Sequence, residues 1–341
     1  MGKNYGSSDF GNGKKAQVEY VSANPTGLLH LGHGRNAVIG DTLSNVYKWL
    51  GFDIDREYYF NNAGNQMRNL ARSIYARYRQ LLGQTDFALP ENGYFGEYIL
   101  EIAQEIINQY GDKFIEDTDE NINFLQKYGE NWNFNKIKTT LEKLNVFQDY
   151  YYNENTLYET GKIDELLAEL KANNLVYEKD NAIWLKLSAM GMEEDRVAVK
   201  SSGEPTYRLP DIAYHKEKYK RGYDEIVDVF GSDHIATYPD VIATLKALGY
   251  DTNKIRLVIY QFITLTENGE QVKMSKRSGK SYTLDELIDE VGSDVVRYFF
   301  LMRGTNTHLE FDLNLAKEQS EKNPVNSRSH SWLTRRAPWP A

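Results

Sequence analysis

The stretch from Glu19 to Arg35, EYVSANPTGLLHLGHGR, decides the fold of this chain of 341 residues. Its first residues alternate with their neighbours and are rich in aromatic and β-branched types, which predicts a strand. Residues Asn24 to Gly27 end that strand, because Pro cannot continue a ladder and Gly permits positive φ. Beyond His33 the apolar residues recur at nearly the helical spacing. A strand, a polar turn and a helix therefore follow one another here.

The motif His30-Leu31-Gly32-His33 falls at the first turn of the expected helix. The N–H groups and the dipole of a helix N-terminus attract anions. Each imidazole can hydrogen-bond a phosphate, and Gly32 lets a flat ring approach the backbone. The motif indicates a nucleotide site, although a histidine near a helix start is more often a cap or a solvated side chain.

A second motif, Lys273-Met274-Ser275-Lys276, lies far downstream in a polar, glycine-rich stretch. A lysine-rich loop alone is usually solvated surface and predicts little. The two motifs in this order, within an α/β pattern, are the paired signatures of class I aminoacyl-tRNA synthetases, which this chain resembles.

Longer runs resemble one branch of that class, the arginyl-tRNA synthetases of the bacterial type, and they extend from about Tyr5 to Val325. These runs are VEYVSANPTGLLHLGHGRNAVIGD, EYYFNNAGNQM, TYRLPDIAYH, GSDH, KMSKRSGK and HLEFDLNLAKEQSEKNP. The resemblance implies an arginine-tRNA ligase, which activates L-arginine with ATP and transfers it to tRNA(Arg).

The resemblance also implies an arginine site. Arginine has a planar, permanently charged guanidinium with five donors, so a carboxylate that accepts two parallel N–H bonds recognises it better than lysine. Asp211 is the position that matches this role, although an acid at a helix start commonly serves only the dipole. The positions assigned to arginine are Glu19, Ser22, Asn24, His33, Tyr207 and Asp211.

The nucleotide site is implied in the same way. His30 and His33 match phosphate-binding histidines, and Lys276 matches a lysine that meets the phosphates as charge builds on them, with Lys273 as a second candidate. The positions assigned to ATP are His30, Gly32, His33, Gly231, Asp233, Met274 and Lys276. His234 is considered only as lining. Mg²⁺ is expected to arrive with ATP, and no metal site in the chain is predicted.

Composition narrows the classes of function. Lys plus Arg number 40 against 49 Asp plus Glu, which gives a net charge of −9. This charge argues against a protein that coats nucleic acid non-specifically, but it permits a local basic surface for one RNA. The absence of Cys excludes disulfides and cysteine zinc sites, which disfavours a cysteinyl enzyme. No apolar run reaches the length of about 18 residues that a membrane span needs. A cytoplasmic monomer is expected.

The order strand, helix, strand, helix predicts an α/β, Rossmann-like, doubly wound parallel sheet, interrupted by a mostly helical insertion. Separate helices are expected near Asp119–Tyr128 and Lys136–Leu144, and the sheet pattern is expected to return at Asp195–Val199. The expected parts are a linker (1–15), the first half of the sheet domain (16–82), a connective insertion (83–194), the second half (195–262), the lysine loop with a helical stem-contact region (263–325) and a tail (326–341).

The first residues of the chain resemble the linker of the family, and the resemblance stops at Val325. The sequence therefore suggests a catalytic core alone, with impaired tRNA charging. Two other interpretations stay open: a remnant that binds ATP, arginine or RNA without turnover, and a nucleotidyltransferase built on the same His-x-Gly-His motif. Tyr207 with Asp211 and the long insertion speak against the nucleotidyltransferase.

Overall fold

A computed structural model of the chain describes residues 4–62, 64–272, 282–318, 323 and 325. These residues form two compact units, and each unit is assembled from three separate parts of the chain. Unit 1 comprises Met1–Ser22, Gly40–Asn62 and Gln148–Tyr260, and unit 2 comprises Ala23–Ile39, Ala63–Phe147 and Gln261–Ala341. The domain boundaries expected from the sequence stay a prediction.

Strands β1 to β8 belong to unit 1 and β9 to β11 to unit 2. The strands are β1 (Lys15–Glu19), β2 (Asp53–Phe60), β3 (Tyr150–Asn153), β4 (Val176–Lys179), β5 (Ala182–Leu185), β6 (Arg196–Val199), β7 (Glu225–Gly231), β8 (Ile255–Tyr260), β9 (Ile263–Glu267), β10 (Glu270–Gln271) and β11 (Leu309–Asp312). The helices are α1 (Leu31–Trp49), α2 (Asn65–Leu81), α3 (Glu97–Tyr110), α4 (Asp119–Lys143), α5 (Asn155–Glu159), α6 (Lys162–Ala172), α7 (Arg208–Lys220), α8 (Tyr238–Ala247), α9 (Leu284–Val291), α10 (Ser293–Leu301) and α11 (Leu313–Lys317).

The main sheet of unit 1 is parallel throughout, with strand order β3-β2-β1-β7-β8. β1 lies at its centre, where Val18 pairs with Arg56 on one side and with Val227 on the other. The α/β parallel sheet predicted from the sequence is thereby confirmed. Because the strands are parallel, their carboxyl ends share one edge, and this edge holds Glu19 and Gly231.

Two local predictions were wrong, and one strand was missed. β6 does not join the parallel sheet but pairs antiparallel with β5, which itself pairs with β4, since a short strand beside a hairpin finds its partner locally. β3 was not predicted, because its mostly exposed tyrosines show no alternation of buried and exposed residues. The two helices expected between Asp119 and Leu144 are one helix, α4, whose low-propensity Asn133 is fully buried.

Each unit has its own apolar core. In unit 1, α7 and α8 pack through residues such as Leu209, Ile212 and Leu245. In unit 2, the core between α2 and α3 includes Leu70 and Ile102. Within the described ranges, none of the helices combines the length and the apolar character that crossing a membrane requires.

Unit 2 also contains a small sheet in which β9 pairs antiparallel with β10 and parallel with β11. Arg35, fully buried on α1, holds the chain next to these strands. Its guanidinium donates to the carbonyl oxygens of Gln261 (2.7 Å), Thr307 (3.1 Å) and Gly304 (3.0 Å). The helix of the histidine motif is thus tied to the strands β9 and β11.

Candidate functional site

The turn after β1 has a strained backbone. Val21 and Ser22 adopt φ values of +68° and +42°, which non-glycine residues rarely adopt and which are least favourable for a β-branched side chain. The N–H of Ser22 donates to the carbonyl oxygen of Tyr20 at 3.0 Å. The hydroxyl of Ser22 donates to Oε1 of Glu19 (3.0 Å) and accepts from the N–H of Tyr59 (3.0 Å). The turn therefore brings Ser22 back onto the end of its own strand.

Glu19 is buried and already bound to a base. The ammonium of Lys218, on α7, donates to Oε2 of Glu19 and to Oδ1 of Asp228 on β7, both at 2.6 Å. Lys218 and Asp228 are fully buried. Burial favours a neutral lysine, but the charges of Asp228 and Glu19 outweigh it and raise the pKa of Lys218. Lys218 thus stays charged between two carboxylates.

Asp228 continues this network toward the start of α7. Its Oδ2 contacts Nε2 of His215 at 3.0 Å and accepts the hydroxyl of Tyr238 at 2.5 Å. Nδ1 of His215 lies 2.7 Å from the carbonyl oxygen of Asp211. Burial opposes ionisation of Asp228, but Lys218 and His215 prevail and hold its pKa well below its usual range. Two carboxylates and two basic side chains therefore share this interior.

Asp211 and Glu154 are different, because neither carboxylate contacts a basic side chain among the described residues. Burial raises the pKa of Asp211 to about 7; the charges of His215 and Lys218 oppose the rise, and the carboxylates of Glu19 and Glu154 add to it. Burial also raises the pKa of Glu154, which is only 7% exposed and lies beside Tyr59. The two acids are close enough for the charge of Glu154 to raise the pKa of Asp211.

Two further tyrosines belong to this region of unit 1. The pKa of Tyr158 is raised to about 12 by burial and by the charges of Glu154 and Asp211, so its ring lies near both acids. Tyr207 immediately precedes α7, and its carbonyl oxygen accepts the N–H of Asp211 at 3.2 Å. Its side chain is 72% exposed, which leaves it at the rim of the region.

The histidine motif lies in unit 2, where α1 begins. The rings of His30 and His33 stack at 3.6 Å between centroids. Nδ1 of His33 accepts the N–H of His30 (3.2 Å), and Nδ1 of His30 accepts the N–H of His33 (3.4 Å). With Nδ1 as acceptor, a neutral imidazole carries its proton on Nε2. An Nε2–H group is a donor of the kind that binds a phosphate oxygen.

Gly32 has a clear steric reason to be glycine. A Cβ atom there would lie 2.9 Å from Cε1 of His30, which is closer than packed atoms allow. The flat ring that approaches this backbone is therefore that of His30. Asn24, also in unit 2, is exposed and donates its side-chain amide to Gln66 at 2.8 Å.

Gly231 ends β7 in unit 1, and Asp233 and His234 follow it. Asp233 and His234 lie on an exposed 3₁₀ turn, Ser232–Ala236, with the ring of His234 stacked on Phe230 at 4.8 Å. A Cβ atom at Gly231 would lie 2.5 Å from the carboxylate of Asp233, so a side chain there would force this carboxylate to move. The carboxylate of Asp233 is two-thirds exposed and open to a ligand.

The structure thus brings Glu19, Ser22 and Asp211 into one connected region of unit 1. Asn24 and His33, which were expected to bind the same amino acid, belong to unit 2. Lys273, Met274 and Lys276 lie outside the described residues. In the part of the chain that the structure describes, no group of three or more His, Asp or Glu side chains is arranged to hold a metal ion.

Sequence reasoning missed Glu154, His215, Lys218 and Asp228. His215 and Lys218 follow Asp211 by about one and two helical turns, so they share its helix face, and this spacing is a signal that the sequence does carry. Glu154 follows a short exposed strand and offered no comparable signal.

Comparison with known proteins identifies the family. Residues 2–299 match the model of "tRNA synthetases class I (R), catalytic domain". An arginine-tRNA ligase of Desulfotalea psychrophila is 51% identical over 324 residues, which are 95% of this chain and 58% of the relative. The enzyme of the same name from Salinibacter ruber is 50% identical and covered to 60%. The chain therefore spans less than two thirds of the length of these relatives.

Solved structures agree in fold. A crystal structure described as an arginyl-tRNA synthetase from Campylobacter jejuni shares 36% identity, with a TM-score of 0.87 over 95% of this chain and 71% of that one. The Thermus thermophilus arginyl-tRNA synthetase shares 20% identity, covering 96% of this chain and 66% of that one with a TM-score of 0.69, which shows the fold alone. The chain belongs to the arginyl family of class I tRNA synthetases.

Proposed function

We propose that this chain activates L-arginine with ATP and transfers the arginyl group to tRNA(Arg). One observation carries the choice of amino acid: Asp211 and Glu154 are neighbouring carboxylates with raised pKa values and no basic partner among the described residues. In contrast, Glu19 and Asp228 contact Lys218, and Glu57 contacts Arg221. A guanidinium, with five donors in a plane, supplies the missing positive charge.

In the first step, an oxygen of the arginine carboxylate attacks the α-phosphorus of ATP. The bond from that phosphorus to pyrophosphate breaks, and arginyl-adenylate forms. In the second step, a hydroxyl at the 3′ end of the tRNA attacks the acyl carbon and releases AMP. Neither step needs a covalent nucleophile from the protein, so the contribution of the protein is positioning and electrostatic stabilisation.

In this proposal Asp211 and Glu154 hold the guanidinium, and Tyr158 and Tyr207 flank the aliphatic stem. Glu19 and Ser22 serve the polar groups at the other end of arginine. The assignment of Asn24 and His33 to arginine rests on the family motif. The Nε2–H donors of His30 and His33 bind phosphate oxygens, and Asp233 beside Gly231 accepts ribose hydroxyls. Substitution of each residue would test its proposed role.

The roles of Lys273, Met274 and Lys276 rest on the family motif. We propose that Lys276 meets the phosphates during attack, with Lys273 as its second charge. The described residues offer no carboxylate cage for Mg²⁺, so the ion would arrive bound to ATP, and none of the steps above uses a protein-held metal. The expectations of a monomer and of a cytoplasmic location stay predictions.

The test is exchange of labelled pyrophosphate into ATP by the purified chain, with tRNA(Arg) present and with arginine or lysine as amino acid. We expect exchange that requires arginine and does not occur with lysine. Equal exchange with lysine would contradict the proposal, and so would exchange without any amino acid. Arginine binding without exchange would favour a protein that binds its ligands without turnover. Asp211→Asn serves as the matched inactive control.

A further inference from the structure

Two of the buried basic side chains of helix α7, His215 and Lys218, meet at the carboxylate of Asp228. His215 is 2% exposed and Lys218 is fully buried, and both contact Asp228. Lys218 also contacts Glu19, and its ammonium lies 4.4 Å from the centre of the Tyr214 ring. The ammonium of Lys218 thus contacts two carboxylates and the face of one aromatic ring.

The protonation state of His215 follows from its two partners. Nδ1 faces a carbonyl oxygen, that of Asp211, and Nε2 faces a carboxylate oxygen, that of Asp228. Both partners only accept hydrogen bonds, whereas a neutral imidazole has one donor and one acceptor nitrogen. Either neutral tautomer would place a nitrogen lone pair against an oxygen lone pair. Both contacts are hydrogen bonds at once only if His215 is an imidazolium.

With His215 charged, the network is balanced. Glu19 and Asp228 supply two negative charges, and Lys218 and His215 supply two positive ones. The network spans three elements of unit 1: the end of β1, the middle of β7, and the middle and last turn of α7, from which His215 contacts the carbonyl oxygen of Asp211 in the first turn. Asp211 is left outside this balance.

We propose that Lys218 and His215 are positioning residues of the arginine site: Lys218 fixes the carboxylate of Glu19, and His215, as a buried imidazolium, fixes the helix turn that carries Asp211. This inference rests on the proposed function and adds two residues to it. Neither side chain touches arginine. Because they neutralise Glu19 and Asp228, the charge that arginine meets comes from Asp211 and Glu154.

The test compares Lys218→Met, which leaves two buried carboxylates without their shared base, with the double variant Lys218→Met/Asp228→Asn. The double variant removes one acid and one base, so the buried charges of the network still sum to zero. Glu19 nevertheless loses its contact with the Lys218 ammonium. We expect the double variant to unfold near the native temperature, with KM for arginine raised at least about tenfold and KM for ATP changed less than about twofold. Lys220→Met, an exposed lysine of the same helix paired with Glu217, is the control and should behave as the native chain.

A stable double variant with native KM for arginine would overturn the role of Lys218. The role of His215 is read on the native chain, by nitrogen NMR of the imidazole at about pH 7, with His215→Gln to assign the signal. Two protonated ring nitrogens support the proposal, and a neutral ring overturns it whether or not the variants fold.

Calorimetry with arginine distinguishes a failure of the proposed function from a failure of this inference. If the native chain binds no arginine, both fail; if the double variant binds it as tightly as the native chain, only this one fails.

Discussion

Asp211 shows how one residue can be costly for folding and useful for binding. Its carboxylate lies in the first turn of α7 with no basic partner among the described residues, and burial raises its pKa to about 7. An acid whose pKa is raised by folding takes up protons when the chain folds, so its ionised form destabilises the folded protein above the pKa of the unfolded chain. A bound cation removes that penalty.

Asp211→Asn tests this balance directly. We expect a folded variant whose affinity for arginine is lower by at least about 2 kcal/mol, because a charge-assisted hydrogen bond is lost. At about pH 8 the variant should also resist urea better than the native chain, since it has no carboxylate with a raised pKa at this position that must ionise. Calorimetry and urea unfolding measure the two effects, and unchanged arginine affinity would refute the assignment.

The raised pKa also predicts how arginine binding depends on pH. Below about pH 7 Asp211 is protonated in the free protein, and arginine must displace that proton, so affinity should fall by up to about tenfold per pH unit between about pH 7 and about pH 5. Above about pH 8 the affinity should level off. The same titration with Asp211→Asn is the control and should lose most of the slope. A native profile that is flat over this range would contradict a titrating carboxylate at the site.

At the scale of elements, the sequence predicted most strands and helices because their periodicity is strong. The exceptions were elements whose state is decided by distant partners: β6 pairs within a local antiparallel sheet, and β3 joins the main sheet with little alternation of its own. The basic residues of α7 were missed for a similar reason. A lysine on a helix is usually solvated, and only the fold shows that Lys218 is buried between β1 and β7.

Helix α9 begins with a cap that can be tested alone. The hydroxyl of Thr283 accepts the N–H of Glu286, and the Glu286 carboxylate accepts the N–H of Thr283, which together form a capping box. Thr283→Ala should lower the free energy of unfolding by about 1 kcal/mol. Urea unfolding measures this, with the exposed Thr156→Ala as control. Equal stability of the two variants would mean that the cap contributes nothing.

The first turn of α1 packs unusually closely in unit 2. A Cβ atom at Gly34 would lie 2.5 Å from Cδ1 of Leu284 on α9 and 2.7 Å from Cε2 of Phe300 on α10. Alanine favours a helix by about 1 kcal/mol over glycine, but overpacking typically costs about 1–3 kcal/mol. We expect Gly34→Ala to lower the thermal midpoint in calorimetry despite its better helix propensity. A raised midpoint would show that the neighbouring side chains move aside freely.

At the scale of the whole molecule, the sequence motifs and the structure supply different kinds of evidence. The two paired signatures predicted class I and the longer runs predicted its arginyl branch, and comparison with known proteins confirms both. They could not show that Glu19 is already paired with Lys218 or that Glu154 joins Asp211, because both facts depend on burial and on side chains brought together by folding. The negative charge of Asp211 and Glu154, which no base in unit 1 compensates among the described residues, therefore depends on the fold.

We propose that the uncompensated charge of Asp211 and Glu154 selects a guanidinium. Citrulline tests it most directly, because it has nearly the shape of arginine but replaces the guanidinium with a neutral urea. In calorimetric titrations of the native chain we predict that arginine binds at least about thirtyfold more tightly than citrulline, the ratio that corresponds to one charge-assisted contact of about 2 kcal/mol. This preference should largely disappear in Asp211→Asn. Equal affinity of the native chain for the two amino acids would contradict the account.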